Sequence, residues 1–89
     1  QSTLLLENIR SIHNVGAFFR TADGAGFDHI FLCGFTPTPE DPRMKKVALG
    51  AEEMISWSQH ESALDLCDDL RKKDFSLYAL ETGEGAQDL

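Results

Sequence analysis

The 89-residue sequence predicts an α/β fold, a parallel sheet flanked by helices. Three observations predict it. Short apolar runs at Leu4 to Asn8, His29 to Cys33 and Phe75 to Leu80 have the length of buried strands. The segments after the first two carry apolar residues at helical spacing. The two patterns alternate along the chain, and parallel strands need such crossovers between them.

The first strand, Leu4 to Asn8, leads into a predicted helix from Val15 to Ala25, whose stripe is Val15, Phe18, Phe19 and Ala22. Asn14 stands where an N-cap would, and the first-turn amides behind it carry the positive end of the helix dipole, which attracts anions. Arg20 points away from the apolar stripe. One turn before it sits Gly16, without a side chain, so the backbone there is expected to be open to a ligand. His29 to Cys33 is the next strand, and Gly34 to Pro42, holding all 3 prolines, is a loop. Lys45 to Gly50 reads as a short helix and Met54 to Trp57 as a short strand. Ser58-Gln59-His60-Glu61 has the spacing of a capping box. The helix after it shows Ala63, Leu66, Cys67 and Leu70 on one stripe, acids near its start and Arg71, Lys72 and Lys73 near its end, each sign suiting the dipole. Phe75 to Leu80 closes the pattern. Trp57 and Phe18, Phe19, Phe27, Phe31, Phe35 and Phe75 read as packing residues.

Composition fits one domain, residues 1–89, with a modest core. No stretch approaches the ~20 apolar residues of a membrane span. Cys33 and Cys67 lack the spacing of a zinc site or a disulfide framework, and read as buried thiols of a reducing compartment, the cytoplasm. His13, His29 and His60 are isolated and give no metal pattern. A net charge of -7 argues against nonspecific nucleic-acid binding through a broad basic face. Yet Arg10, Arg20, Arg43, Lys45 and Lys46, five of the 8 basic residues, fall within the first 46 positions, while acids gather later from Asp65 to Asp88. An acidic solvated surface without any RNA role has the same composition.

Ligands of a parallel sheet gather beyond the carboxyl ends of its strands, and Asn8 to Asn14 is such a loop. Arg10 and Arg20 flank it, and Arg forks match phosphate oxygens two at a time. The competing reading makes Asn14 a cap, Gly16 a packing device, Asn8 the cap of a turn, and Arg20 half of a surface ion pair with Asp23 or Asp28.

At these residues the sequence resembles the SpoU-type, TrmH-like RNA ribose methyltransferases of the SPOUT superfamily. The run Asn8-Ile9-Arg10-Ser11 through Asn14-Val15-Gly16-Ala17 and Arg20-Thr21-Ala22 to Gly26 is similar to the first signature of that family. Ile30 to Cys33 with Gly34-Phe35-Thr36-Pro37-Thr38-Pro39, and then Lys46-Val47-Ala48-Leu49-Gly50-Ala51-Glu52, resemble the family's next two blocks. The resemblance implies the N-terminal part of an α/β-knot domain whose knotted C-terminal part, with its Gly-x-Glu and Asn/Ser-rich signatures, is absent from this chain. Thr82-Gly83-Glu84-Gly85 echoes the former but matches an earlier strand in register, so no cofactor-binding residue is expected here. With the chain starting at Gln1 and ending at Leu89, further residues are expected on both sides.

The activity implied is transfer of a methyl group from S-adenosylmethionine to a ribose 2′-hydroxyl of tRNA or rRNA, in a homodimer. The resemblance gives Arg20 a central catalytic role and Asn14 a place in the RNA pocket, with Asn8, Arg10, Gly16 and Lys46 contacting RNA. A guanidinium rarely gives up its proton, so seating the phosphate beside the target ribose is the easier role for Arg20. His13, an imidazole beside Asn14, is a candidate proton acceptor. The alternative is a noncatalytic RNA-binding or dimerising module of the same fold. A phosphometabolite site at the helix start is disfavoured because no Gly-Lys-Ser/Thr phosphate cradle is present. Titration calorimetry of the 89-residue chain is expected to show no S-adenosylmethionine binding, and micromolar affinity would overturn that expectation.

Overall fold

The computed structural model describes residues 2–73 and the backbone of residues 77–82. The elements run β1 (Thr3–Glu7), α1 (Ile12–Ala25), β2 (His29–Cys33), α2 (Met44–Ala48), α3 (Ala51–Met54), β3 (Ser56–His60), α4 (Ala63–Lys72) and β4 (Leu77–Thr82). The four strands form one parallel sheet in the order β3-β2-β1-β4.

Strands β1 and β2 are almost wholly apolar because both of their faces are covered, as parallel sheets require. Leu4, Leu6, Ile30 and Leu32 face Val15, Phe19 and Ala22 of α1, together with Met44, Ala48, Ala51 and Ile55. Leu5, Phe31 and Cys33 face the other way, against Ala63, Leu66 and Leu70 of α4. Burial, then the charges of Glu7 and Cys67, push the Cys33 thiol up to about 11. Both cysteines are free thiols.

Strands β1 and β4 and helix α2 shift by one or two residues from the sequence reading, and three larger differences have local reasons. Helix α1 begins three residues early, at Ile12, because Ser11 rather than Asn14 caps it: the Ser11 hydroxyl accepts from the Asn14 N–H at 3.2 Å. Strand β3 is Ser56–His60 rather than Met54 to Trp57. Its polar residues hide it, since an edge strand open on one side needs no continuous apolar run. Ser58 and His60 are therefore strand residues, and Ser62 caps α4 by accepting from the Asp65 N–H at 3.2 Å. Phe35 departs from the packing expectation by standing 57% exposed. Phe75, and Gly83-Glu84-Gly85 after β4, lie outside the described residues.

The carboxyl ends of β1 and β2 are tied through Thr36, buried to 2% exposure. Its hydroxyl donates to the Cys33 carbonyl at 2.7 Å and accepts from the Ile9 N–H at 3.2 Å, with the Leu6 carbonyl a further 3.4 Å neighbour. Thr36→Val keeps the shape but orphans a buried backbone donor, so chemical denaturation is expected to show a loss of about 1–3 kcal/mol. Wild-type stability in that variant would mean that the hydroxyl ties nothing.

Candidate functional site

From β1 the chain steps outward through β2 to β3, with α1 to α3 on one face, and then returns past β1 to β4 by way of α4 on the other face. The direction of winding therefore reverses between β1 and β4, and the crevice at such a reversal, beyond the carboxyl ends of the strands, is where α/β sheets take ligands. The loop after β1, carrying Asn8 and Arg10, opens onto it.

Asn8 shapes this loop. It adopts φ 54°, its N–H donates to the Cys33 carbonyl at 3.2 Å, and its side-chain oxygen accepts from the Phe35 N–H at 3.2 Å. That oxygen lies where a side chain on Gly34 would stand, 1.9 Å from a Cβ, so Gly34 is required both for this approach and for its own φ of 65°. The side-chain oxygen of Asn8 is thus spent on the turn. Arg10 is exposed, with its guanidinium 5.5 Å from the centre of the Phe35 ring.

Asn14 and His13 are exposed in the first turn of α1, so His13 stands on a helix rather than in a loop. The approach expected at Gly16 is closed. Gly16 is buried, and a Cβ there would lie 2.6–2.8 Å from Val47, including its backbone carbon. The segment α2 packs directly on the glycine, which makes it a helix contact in place of an RNA contact.

Arg20 lies one turn beyond Gly16, exposed, its Nη1 donating to the Val47 carbonyl. It borders a hollow of about 470 Å3 with Asp23, Leu49, Gly50, Glu53 and Met54. Leu49 and Met54 are 72% and 73% exposed around it, and Leu49 is left-handed at φ 56°, a strained backbone for a branched side chain. The Gly50 N–H is held by the Glu52 carboxylate at 3.0 Å. Among the described residues the ion pairs are Arg43–Asp41 and Arg71–Asp68, so the pairing of Arg20 with Asp23 or Asp28 does not form. Arg43 is committed to Asp41, and its hydrogen bonds hold that carboxyl down to about 2. Lys46 is exposed on α2. The structure therefore gathers Asn8, Arg10 and the first turn of α1 at the sheet end, and sets Arg20 in a separate hollow along the same helix.

Known proteins share this arrangement of strands and helices. The sequence pattern of the SpoU rRNA Methylase family matches residues 1–89. The chain belongs to that family. It is 28% identical over 86 residues to the tRNA (guanosine(18)-2′-O)-methyltransferases of two Thermus thermophilus strains, covering 97% of this chain and 43% of each relative. A TrmH-family structure from Porphyromonas gingivalis superposes with a TM-score of 0.74 at 26% identity, over 82% of this chain and 29% of that one. The AdoMet-bound rRNA methyltransferase of Sinorhizobium meliloti gives 0.75 at 20% identity, over 92% and 38%, a likeness of fold. This SpoU-family chain thus spans less than half the length of these relatives.

A second polar cluster is hidden in the sequence because its strand partners are 27 to 29 residues apart. Parallel pairing of β2 with β3 lines up His29 with Ser56 and Cys33 with His60. The Ser56 hydroxyl donates to the Asp28 carbonyl at 2.9 Å, so the His29 Nδ1, 2.8 Å from it, must be the donor between them. In neutral His29 the Nε2 then accepts from the Ser58 hydroxyl at 2.8 Å, and Ser58 accepts from the His60 Nε2 at 2.7 Å. The ladder floors a hollow of about 820 Å3 beside α4, with Glu61, Asp65 and Asp69 on its rim. Among the described residues no three His, Cys, Asp or Glu side chains converge as a metal site.

Burial, and secondly the charge on His60, lower the pKa of His29 from 6.5. The unfolded chain therefore takes up this proton first as pH falls. The contribution of His29 to stability is complete above 6.5 and is lost as pH drops through the folded value. Nitrogen NMR is expected to show the Nδ1-protonated tautomer and a midpoint below 6.5, and the opposite tautomer would break the chain of donors.

Proposed function

We propose that residues 1–89 are the N-terminal portion of a single SpoU-type domain, the RNA-facing part of a cytoplasmic, homodimeric enzyme. It methylates a ribose 2′-hydroxyl of tRNA or rRNA with S-adenosylmethionine. Family membership supports the reaction class. The observation that carries the site is the Arg20 guanidinium, exposed, clear of any carboxylate pair among the described residues, and steadied at the Val47 carbonyl beside a hollow.

Neither of the two hollows suits S-adenosylmethionine. The hollow at Arg20 puts a guanidinium where a sulfonium cation would have to sit, and the histidine ladder spends both ring nitrogens of His29 and the Nε2 of His60 on serines. We assign the cofactor site to the part of the relatives that this chain does not span, where it would supply the methyl group.

The work of this chain is then to seat the RNA. Donation to Val47 uses one of the five guanidinium N–H groups of Arg20, which leaves a fork for the phosphate next to the target ribose and so holds the 2′-oxygen in line. Because Ser11 caps α1, the Asn14 amide is not committed to the helix end and is available to the RNA. Arg10 and Lys46 add local positive charge to an acidic protein. His13 and Arg20, seven residues apart, share one flank of α1 about 10 Å apart along its axis, too far for His13 to serve the same atoms directly. Exposed Leu49 and Met54 beside Arg20 support a covering subunit. Among the described residues no helix is long and apolar enough to cross a membrane.

The test is incorporation of tritiated methyl from S-adenosylmethionine into unmodified total RNA by the intact protein carrying this chain. Arg20→Ala is expected to lower incorporation by about 10²–10³-fold, the scale for losing one group that stabilises developing charge. Equal incorporation by variant and wild type would remove Arg20 from the site, and RNA binding without incorporation would make the protein a noncatalytic binding module.

A further inference from the structure

We propose that Phe35 and Arg10 form a stacking platform for an unpaired RNA base, at the sheet end and apart from the phosphate seat at Arg20; the inference rests on RNA being the substrate. Phe35 is turned to solvent at 57% exposure, although it lies in the loop leaving a buried strand. Slackness does not explain that position. The Phe35 N–H is held by Asn8, whose own backbone is left-handed; Gly34 before it is left-handed and hemmed in by the same amide; Thr36 after it is buried and hydrogen-bonded to both strand ends. A backbone fixed at three consecutive residues that then presents a ring to water is built to offer the ring.

The second element is chemical. The Arg10 guanidinium lies 5.5 Å from the ring centre, so a planar cation and an aromatic face stand together. Nucleobases stack on both kinds of surface, and only a base free of its own helix has a face to give. The site lies at the carboxyl ends of β1 and β2, the end of a parallel sheet at which ligands gather. In a protein of net charge -7, a lone guanidinium over a ring selects by stacking rather than by bulk attraction to phosphate.

The experiment measures binding of the intact protein, by fluorescence anisotropy, to a short unpaired RNA oligonucleotide and to the same sequence in a duplex. Phe35→Leu and Arg10→Ala are each expected to weaken the unpaired complex by about tenfold and Phe35→Tyr to stay within about twofold, while duplex binding is unmoved by Phe35→Leu and loses less than the unpaired complex in Arg10→Ala. An abasic nucleotide stepped along the oligonucleotide should find one position where wild type loses as much as Phe35→Leu does, and where the variant loses nothing more. Unchanged affinity in Phe35→Leu, an equal loss on duplex, or a change confined to the oligomeric state would overturn the platform. Methyl transfer is scored separately. A protein that stacks RNA on Phe35 without methylating it keeps the platform and loses the proposed reaction, while one that methylates with Phe35→Leu binding as wild type loses the platform alone.

Discussion

The architecture of the sheet end depends on one buried hydroxyl. Thr36 satisfies the Ile9 N–H and the Cys33 carbonyl at once, and so joins the loop leaving β1 to the loop leaving β2. Neither backbone group has water to turn to, and this sets the strength of the tie. With the two loops locked, Asn8 can reach across to the Phe35 N–H, and α1 starts from a fixed point at Ser11. The Asn8 N–H on the Cys33 carbonyl is a second tie between the same loops, and what that edge presents, from the Arg10 guanidinium to the Asn14 amide, is positioned by the two together.

Much of the fold is legible in the sequence because apolar residues advertise burial. The apolar run His29–Cys33 matches its strand to the residue, and the stripe Ala63, Leu66, Cys67, Leu70 identifies the face that α4 buries. Strand β3 escapes for the converse reason: Ser56, Ser58 and Gln59 bury little and leave no period to detect. Asn14 reads as a cap because Asn favours that place, while Ser11, equally suited, stands one turn earlier ahead of a hydrophobic Ile12. At the site, the exposure of Arg10, Asn14, Arg20 and Lys46 agrees with their residue types, whereas Gly16 is ambiguous. A missing side chain marks either an opening or a close contact, and only the position of Val47 decides. Thr36 and the histidine ladder are invisible in the sequence because partners from different strands make them.

Charge is organised locally rather than globally. Of the early basic residues, Arg43 is neutralised by Asp41, which leaves Arg10, Arg20, Lys45 and Lys46 without ion-pair partners among the described residues. The carboxylates of α4 rim the opposite face of the sheet. Such a distribution would turn an anionic polymer away from one face and favour its approach on the other, giving orientation rather than tight, indiscriminate attachment.

The central place of β1 in the sheet also has a consequence for how the molecule is made. Thr3 pairs with His29 on one side and with Leu77 on the other, so β1 waits for β4, the latest of the four described strands, before both its edges are closed. In the interval α1, α2 and α3 can settle on their layer, but Leu5, Phe31 and Cys33 remain bare and the β1 edge is left with unsatisfied amides. Distant pairing of this kind slows folding and lengthens the life of a sticky nascent form. The amphipathic α4, arriving just ahead of β4, is the first segment able to shield that surface during translation.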